Sequence, residues 1–301
     1  MVSYTHAATL VSNPQYAVLD DALTSAAREA LDADTGMRWL AAGIAADVLF
    51  AAVADADPKA LADTLKQALA ATPVDVIVQP LATRQKKLFL ADMDSTIIGQ
   101  ECIDELADMV GLKPHVAAIT ERAMRGEIEF EPALRERVDL LKGLDVRVVD
   151  KVIDERITLN PGARTLIQTL RARGIYTMLV SGGFTLFTSR IADRTGFHEN
   201  RANTLLVEDR RFSGSVHEPI LGRQAKLDAL VEMRGKLALQ PSETMAIGDG
   251  ANDLAMLDEA GLGFAYHAKP AVAAAADARI DHSDLTAVLY ALGIPADEFV
   301  T

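Results

Sequence analysis

The sequence predicts an α/β fold: a Rossmann-like parallel sheet covered by helices, with a small helical cap and an N-terminal α/β extension. Short apolar segments suited to strands alternate with helix-forming segments, and several of these strands end at acidic or Gly-rich motifs. Such alternation indicates a parallel sheet with helices on both faces and the motifs at the carboxyl ends of its strands. The chain has 301 residues, 50% of them hydrophobic, so two domains with a sizeable core are expected.

Residues 1–82 are predicted to form a small α/β domain without a catalytic motif. Strands are expected near Ala7–Val11, Val48–Val53 and Val74–Val78, and helices at Asp20–Leu31 and Pro58–Leu69, in the order β-α-β-α-β. A proline suits the first turn of the second helix. The domain could serve regulation or dimerisation, and a structural appendage is the alternative interpretation.

Two carboxylates, Asp92 and Asp94, follow the apolar run Leu88–Ala91 in the motif Asp-Met-Asp-Ser-Thr. Side chains two apart on a strand start on the same side of the sheet. Two acids at this range repel unless a cation or a shared proton holds them, and Mg²⁺ takes oxygen ligands readily. The motif favours phosphate chemistry with one Asp as nucleophile and the other as acid/base. Taken alone, it also fits solvated carboxylates or a helix cap.

Two further segments could bind an anion. The apolar run Tyr176–Val180 leads into Ser181, Gly182 and a second glycine, where backbone N–H groups at a helix start can cradle phosphate. Lys226 could supply the compact positive charge that a phosphate site needs. Their ordinary alternatives are a capped strand-to-helix turn and a solvated helix lysine.

The motif Gly-Asp-Gly-Ala-Asn-Asp at residues 248–253 ends another short apolar strand. Its glycines leave room for the Asp249 carboxylate to reach a metal, and Asn252 and Asp253 open the next helix. Helix capping alone needs fewer acidic and amide side chains than this. A metal-binding or phosphate-binding role is therefore the favoured interpretation.

Residues 100–158 show helical periodicity with breakers at Gly111, Gly126 and Gly143, which predicts about four cap helices. After the cap, a helix is expected at Arg164–Arg173 and a β-hairpin within Leu205–Glu218. Further strands are expected at residues 261–266 and 278–281, with a helix over the Ala-rich run 271–276.

The order of these motifs resembles the haloacid dehalogenase-like phosphatase superfamily over roughly residues 85–290. The resemblance makes residues 83–301 the phosphatase domain, with its cap at about residues 100–158. It implies that Asp92 is the nucleophile that forms an aspartyl-phosphate and that Asp94 is the acid/base. Ser181, Gly182, Lys226 and Asn252 would bind the phosphate. The resemblance further implies a Mg²⁺ site, whose residues are Asp92, Asp94 through its backbone carbonyl, Asp249 and, in support, Asp253.

The cap run from Glu101 to Arg137 looks like that of phosphoserine phosphatases. In that family a Glu seven residues after the acid/base Asp and the second Arg of Leu-Arg-x-Arg-Val grip the serine moiety, and here these are Glu101 and Arg137. Without the resemblance, a helix-start acid and a solvated arginine are the simpler interpretations. With it, the implied function is Mg²⁺-dependent hydrolysis of phosphoserine to serine and phosphate, the last step of serine biosynthesis. Three alternatives are phosphoryl transfer to another hydroxyl, action on another small phosphomonoester, and a non-catalytic sensor of phosphorylated ligands.

Composition excludes several other classes of function. The net charge of −13 without a basic stripe argues against a nucleic-acid partner. No apolar stretch reaches transmembrane length and no signal peptide is evident, so no membrane partner is expected. The single Cys102 and scattered histidines disfavour disulfides and zinc and suit a cytoplasmic enzyme. A homodimer is compatible with the sequence.

Overall fold

The computed structural model describes residues 3–53, 56–69, 72–124 and 127–301. In the described part of the N-terminal extension, the elements are β1 (His6–Ser12), α1 (Asp21–Ala30), β2 (Thr35–Ala41), β3 (Ala45–Phe50), α2 (Pro58–Ala68) and β4 (Val74–Pro80). The strands form one antiparallel sheet in the order β2-β3-β1-β4. This β-α-β-β-α-β arrangement is ferredoxin-like.

The predicted order β-α-β-α-β was wrong because it lacked β2. This strand lies at the edge of the sheet, and most of its side chains are exposed or half-buried. An edge strand of this kind has no continuous apolar run, and β2 includes Gly36 and Arg38. Its pairing with β3 is also irregular between Trp39 and Ala41. The residues of β2 therefore carry only a weak strand signal.

Strand β5 (Leu88–Ala91) leads into the cap. The helices of the cap in the described residues are α3 (Cys102–Asp108), α4 (Lys113–Met124), α5 (Phe130–Asp139) and α6 (Val148–Glu155). Gly111 and Gly143, two of the predicted breakers, have φ of +74° and +83°, a backbone conformation that glycine adopts without strain. The predicted break at Gly126 lies outside the described residues.

The rest of the chain alternates between strands and helices. In order, its elements are α7 (Ala163–Ala172), β6 (Tyr176–Phe184), α8 (Thr185–Thr195), β7 (Glu199–Asn203), β8 (Leu205–Glu208), β9 (Arg211–Val216), α9 (Arg223–Lys236), β10 (Thr244–Gly248), α10 (Leu254–Glu259), β11 (Gly263–Tyr266), α11 (Pro270–Ala275), β12 (Ala278–Ile280) and α12 (Ala287–Ala291). Strands β8 and β9 form the predicted hairpin.

The central sheet has the order β12-β11-β10-β5-β6-β7, and its strands are parallel. Alternate side chains of β5 enter two separate apolar clusters. Leu88 and Leu90 pack with residues of α9 and α10, whereas Phe89 and Ala91 pack in the large cluster that includes cap residues. Both faces of the sheet are thus covered, as the sequence predicts.

Buried polar contacts join the N-terminal sheet to the C-terminal part of the chain. Arg84, in the connector after β4, donates hydrogen bonds to both carboxylate oxygens of Asp47 in β3 at 2.7 and 2.9 Å and to the carbonyl oxygens of Tyr290 and Ala291 in α12. The Asp75 carboxylate accepts backbone N–H groups from the segment 281–283, which follows β12. The C-terminal part of the chain is therefore fixed against β3, through Arg84, and against β4.

Candidate active site

Two of the predicted acidic residues lie side by side at the carboxyl edge of the central sheet. Strand β5 ends immediately before Asp92, and the neighbouring parallel strand β10 ends immediately before Asp249. On the other side of β5, Ser181 lies within β6. Parallel pairing brings these three chain segments to the same edge of the sheet.

Lys226, from the first turn of α9, lies between two carboxylates. Its Nζ is 2.6 Å from Asp92 Oδ1 and 2.6 Å from Asp253 Oδ1, and its side chain is 2% exposed. Burial alone would lower the pKa of Lys226, but the two carboxylates outweigh it and raise that pKa. Lys226 is therefore a permanent positive charge at this edge of the sheet.

Three carboxylates meet near this lysine. Within the described residues, one ligand atom from each of Asp92, Asp249 and Asp253 can be chosen so that all lie within 4.8 Å of one another. Burial raises the pKa of Asp92, and the charge of Asp253 raises it further, while Lys226 opposes the rise. Burial and Asp253 also raise the pKa of Asp249. Oxygen-only ligands that repel one another fit a hard divalent cation.

Gly248 and Gly250 allow Asp253 to approach the end of β10. A Cβ on Gly248 would lie 2.4 Å from Asp253 Cγ, so a larger residue would displace the carboxylate. The backbone N–H of Gly250 donates to Asp253 Oδ2 at 3.0 Å. Gly248 thus leaves room for Asp253, whereas Gly250 leaves room for Asn252, whose Oδ1 would lie 2.3 Å from a Cβ there. That these glycines also leave room for Asp249 stays a prediction.

Asp94 is held by hydrogen bonds to both of its carboxylate oxygens. The backbone N–H of Cys102 donates to Oδ1 at 2.8 Å, and the Ser181 hydroxyl donates to Oδ2 at 3.1 Å. Burial raises the pKa of Asp94, and these hydrogen bonds oppose the rise. The Gly183 N–H donates to the Ser181 hydroxyl at 2.9 Å, which fixes that hydroxyl in turn. Such a carboxyl group can both hold and release a proton.

Gly182 is half-buried near the end of β6, and Asn252 lies just before α10. A Cβ on Gly182 would lie 3.4 Å from the ring of Phe130, so the start of cap helix α5 covers this end of β6. The Asn252 side chain is exposed. Among the described residues, the Lys226 ammonium group contacts Asp92 and Asp253, and Asn252 is not one of its partners.

Glu101 and Arg137 lie on cap elements that face the same cleft. Glu101 Oε1 accepts a hydrogen bond from the Ser95 hydroxyl at 2.7 Å. Partial removal from water raises the pKa of Glu101 to about 7, and the charge of Asp94 is the second cause of this rise. The side chain is nevertheless exposed at the surface of the cleft. Burial lowers the pKa of Arg137, while the charges of Asp104 and Glu101 oppose this. Arg137 Nη1 donates to Thr120 Oγ1 at 3.4 Å, and Nε donates to a carbonyl of its own helix.

Three residues that support this site by hydrogen bonds have no role predicted from the sequence. Ser95 holds Glu101, Thr96 Oγ1 donates to Asp249 Oδ1 at 3.4 Å, and Asn160 Nδ2 donates to the carbonyl oxygen of Thr96 at 2.8 Å. The hydroxyl residues next to the two acids were the available signal for Ser95 and Thr96. Asn160 is distant in sequence and carries no local signal.

Comparison with known proteins agrees with this arrangement. Residues 89–258, more than half of the chain, match the sequence model of the family of haloacid dehalogenase-like hydrolases. The chain belongs to this family. Within the family it is similar to phosphoserine phosphatases. The protein of that name from Polaromonas sp. is 46% identical over 221 residues, which are 72% of this chain and 94% of the relative.

Two solved structures share the fold over almost the whole chain. A hydrolase of the same family from Salmonella enterica serovar Typhi has a TM-score of 0.85 at 29% identity and covers 95% of this chain and 98% of its own. A probable phosphoserine phosphatase from Vibrio cholerae, in its unliganded form, has a TM-score of 0.77 at 30% identity and covers 98% of this chain and 88% of its own. Both structures therefore share the fold of this chain over the N-terminal sheet as well as over the central parallel sheet.

Proposed function

We propose that this protein is a Mg²⁺-dependent phosphoserine phosphatase that works through an aspartyl-phosphate intermediate. The observation that carries the proposal is the buried contact of Lys226 with Asp92, beside the carboxylates of Asp249 and Asp253. A nucleophilic carboxylate beside a fixed cation and a divalent-cation site suits attack on a phosphate dianion. The similarity to phosphoserine phosphatases supports the choice of substrate.

Asp92 and Asp94 divide the chemistry between them. One carboxylate oxygen of Asp92 attacks phosphorus, the bond from phosphorus to the serine oxygen breaks, and Asp94 gives its proton to that oxygen. In the second half, Asp94 takes a proton from water as the water oxygen attacks phosphorus, which frees phosphate and Asp92. The raised pKa of Asp94 suits a group that must be protonated at the first step and deprotonated at the second.

The phosphate oxygens are bound by groups around this pair. Lys226 supplies a positive charge, Ser181 a hydroxyl, and Gly182 a backbone N–H. Asn252, whose side chain is exposed, would bind a further phosphate oxygen through its amide. Charge stabilisation by such fixed groups is expected to supply much of the rate acceleration.

The acidic cluster fits a hard cation, and Asp92, Asp249 and the backbone carbonyl of Asp94 would hold it, with Asp253 in support. When bound, Mg²⁺ would neutralise charge on the phosphate and polarise the phosphorus for attack. Mg²⁺ takes fewer oxygen ligands than Ca²⁺, so it would suit a site in which Asp92 must also act as the nucleophile.

The cap supplies recognition of the serine moiety. The Arg137 guanidinium would bind the substrate carboxylate in a two-pronged geometry, and Glu101 would pair with the ammonium group. Their location on cap elements means that substrate binding favours a closed cap, which excludes water from the phosphate.

One product analysis distinguishes this function from its alternatives. The protein is incubated with phosphoserine in Mg²⁺ or in a chelator, with a second alcohol present as acceptor, and serine, phosphate and phosphorylated acceptor are quantified. Serine and phosphate in equal amounts, only with Mg²⁺, are expected. Phosphorylated acceptor in place of phosphate would indicate a phosphotransferase, and binding without turnover would indicate a sensor.

The biological setting belongs to the same proposal. Serine release would make this the final step of serine biosynthesis in the cytoplasm, and a homodimer is proposed as its assembly. None of the helices in the described part of the chain has the length and apolar character that a membrane crossing requires.

A further inference from the structure

A cavity of about 310 Å³ lies between the N-terminal domain and the catalytic domain. Asn13 and Gln15 line the cavity from the N-terminal domain. Ser95, next to Asp94, and Asn160, before α7, line it from the middle of the chain. His267 and Asp284, which follow β11 and β12, complete the set. Its lining does not include Asp92, Asp94 or Lys226. The volume is at the lower end of the range for small-molecule sites.

We infer that this cavity binds a small hydroxylated ammonium compound, which changes the affinity for phosphoserine through Ser95. The second half of this inference rests on the proposed function, because it needs Glu101 to bind the substrate ammonium group.

The chemistry of the cavity wall favours a cation with hydroxyl groups. Among the described residues that line it there is one carboxylate, Asp284, and no lysine or arginine. Asp284 Oδ1 accepts the backbone N–H of Thr286 at 2.9 Å, which leaves Oδ2 for a ligand. His267 Nε2 lies 3.0 Å from the carbonyl oxygen of Ser283, so that nitrogen carries the proton and Nδ1 can accept. Acceptors with an unbalanced negative charge bind an ammonium group and disfavour phosphate.

Two residues of the cavity wall also hold the segment that carries the catalytic acids. The Ser95 hydroxyl donates to Glu101 Oε1 at 2.7 Å, and Asn160 Nδ2 donates to the carbonyl oxygens of Thr96 and Ile98. Ser95 has φ of +57°, and His267 has φ of +42°. Non-glycine residues rarely adopt this conformation, and where they do it often marks a functional site. A ligand that draws the Ser95 hydroxyl into the cavity would release Glu101.

The N-terminal domain gives the cavity a fixed wall. Asn13 Nδ2 donates to the carbonyl oxygen of His282 at 2.9 Å, next to the segment that the Asp75 carboxylate binds. The Polaromonas relative is matched over 94% of its length by only 72% of this chain. Nearly all of the Polaromonas protein is therefore matched by part of this chain. The unmatched part of this chain is not needed for the chemistry that the two proteins share, so it can have another role.

Isothermal calorimetry with a matched pair of probes tests the site. Protonated tris(hydroxymethyl)aminomethane (Tris) is compared with pentaerythritol, its uncharged polyol counterpart, in a phosphate-free buffer at about pH 7. Tris is expected to bind the wild-type protein at least about tenfold more tightly than pentaerythritol, since a charge-assisted hydrogen bond is worth about this factor. Equal binding of the two probes, or no binding of Tris, would overturn the inference.

Two variants locate the bound probe. Asp284→Asn keeps the acceptor for Thr286 but removes the charge, and Gln15→Trp fills the cavity from an exposed position. Both are expected to weaken Tris binding by about tenfold or more. Because Glu101 offers another carboxylate, Tris binding that persists undiminished in both variants would place the probe at the active site and overturn the inference.

Kinetics test the link to Glu101. Saturating Tris is expected to raise the KM for phosphoserine in the wild type, and this effect is expected to vanish in Ser95→Ala, which still binds Tris. Tris binding that leaves the KM unchanged would overturn the link. Calorimetry needs no turnover, so a protein that binds Tris without hydrolysing phosphoserine would refute the proposed function and leave the site standing. Hydrolysis without Tris binding would refute the site alone.

Discussion

Lys226 Nζ lies 2.6 Å from Asp92 Oδ1, and the two side chains are only 2% and 6% exposed. The same ammonium group contacts Asp253, which is fully buried. Lys226 supplies one positive charge and the two aspartates supply two negative charges, so one negative charge is not balanced. A divalent cation beside Asp92 and Asp249 would supply the missing positive charge.

Replacement of this lysine is expected to damage both stability and activity. In Lys226→Met, two buried carboxylates lose their partner, and breaking a buried pair in this way costs about 3–5 kcal/mol. Urea unfolding is expected to show a loss of this size, and phosphoserine turnover is expected to fall by about a thousandfold or more. Lys236→Met, at the exposed end of the same helix, is the matched control. A Lys226→Met protein with wild-type stability and turnover would contradict the role of Lys226.

Arg137 is expected to set substrate preference. Arg137→Ala should reduce kcat/KM for phosphoserine by about ten- to a hundredfold, because a charged hydrogen bond contributes about 1.5–3 kcal/mol. An aryl phosphate has no carboxylate, so its hydrolysis should change little. Arg135→Ala is the control, because Arg135 lies on the same helix and pairs with the exposed Glu218. An equal loss for both substrates in Arg137→Ala would make Arg137 structural or part of the phosphate site.

Glu101 is expected to make phosphoserine binding depend on pH. Its pKa is raised to about 7, so below that pH the group is increasingly protonated and cannot pair with the substrate ammonium group. The KM for phosphoserine is therefore expected to fall about tenfold between about pH 6 and pH 8, following the ionised fraction. The aryl phosphate serves as the reference, since both substrates share the ionisation of the phosphate. This role is contradicted if the ratio of the KM for phosphoserine to the KM for the aryl phosphate stays constant over this range. It is also contradicted if that ratio changes with pH in Glu101→Gln as it does in the wild type.

The contact between the domains is expected to stabilise the whole protein without serving catalysis. Asp47→Asn removes the charge that balances the buried Arg84, at a cost of about 3–5 kcal/mol in the free energy of unfolding. The kcat/KM of the folded variant is expected to stay unchanged, because Asp47 lies outside the site. Asp63→Asn, on the exposed face of α2, is the control. An unfolding free energy equal to that of the wild type would show that Asp47 does not stabilise the contact.

The sequence predicts the fold of residues 83–301 better than that of residues 1–82. Asp92, Ser181 and Asp249 each follow an apolar strand, so parallel pairing alone brings their chain segments together. The contact between Asp47 and Arg84 could not be predicted in the same way, because Arg84 lies in the connector after β4 and no strand pairing brings it beside Asp47. The available signal was the position of Asp47 inside the apolar run from Ala41 to Val53, since a buried acid needs a partner.

Within the site, too, some residues could be predicted from the sequence and others could not. The spacing of Asp92 and Asp94 indicates their chemistry, because that chemistry needs two carboxylates close together. The hydrogen bonds that hold Asp94 come from the backbone of Cys102 and from Ser181, and a backbone donor has no sequence signature. Local patterns therefore predict the reacting groups, whereas the groups that orient them depend on tertiary structure.

Phosphorylation of Asp92 during turnover is tested most directly by an acid quench of the protein with ³²P-phosphoserine and Mg²⁺, followed by digestion and peptide mapping. We expect an alkali-labile label on the peptide that contains Asp92, together with release of serine and phosphate. In Asp92→Asn, both label and release should be absent, while circular dichroism shows a folded protein. Phosphate release by Asp92→Asn at the wild-type rate, or no release by the wild-type protein with Mg²⁺, would contradict the account.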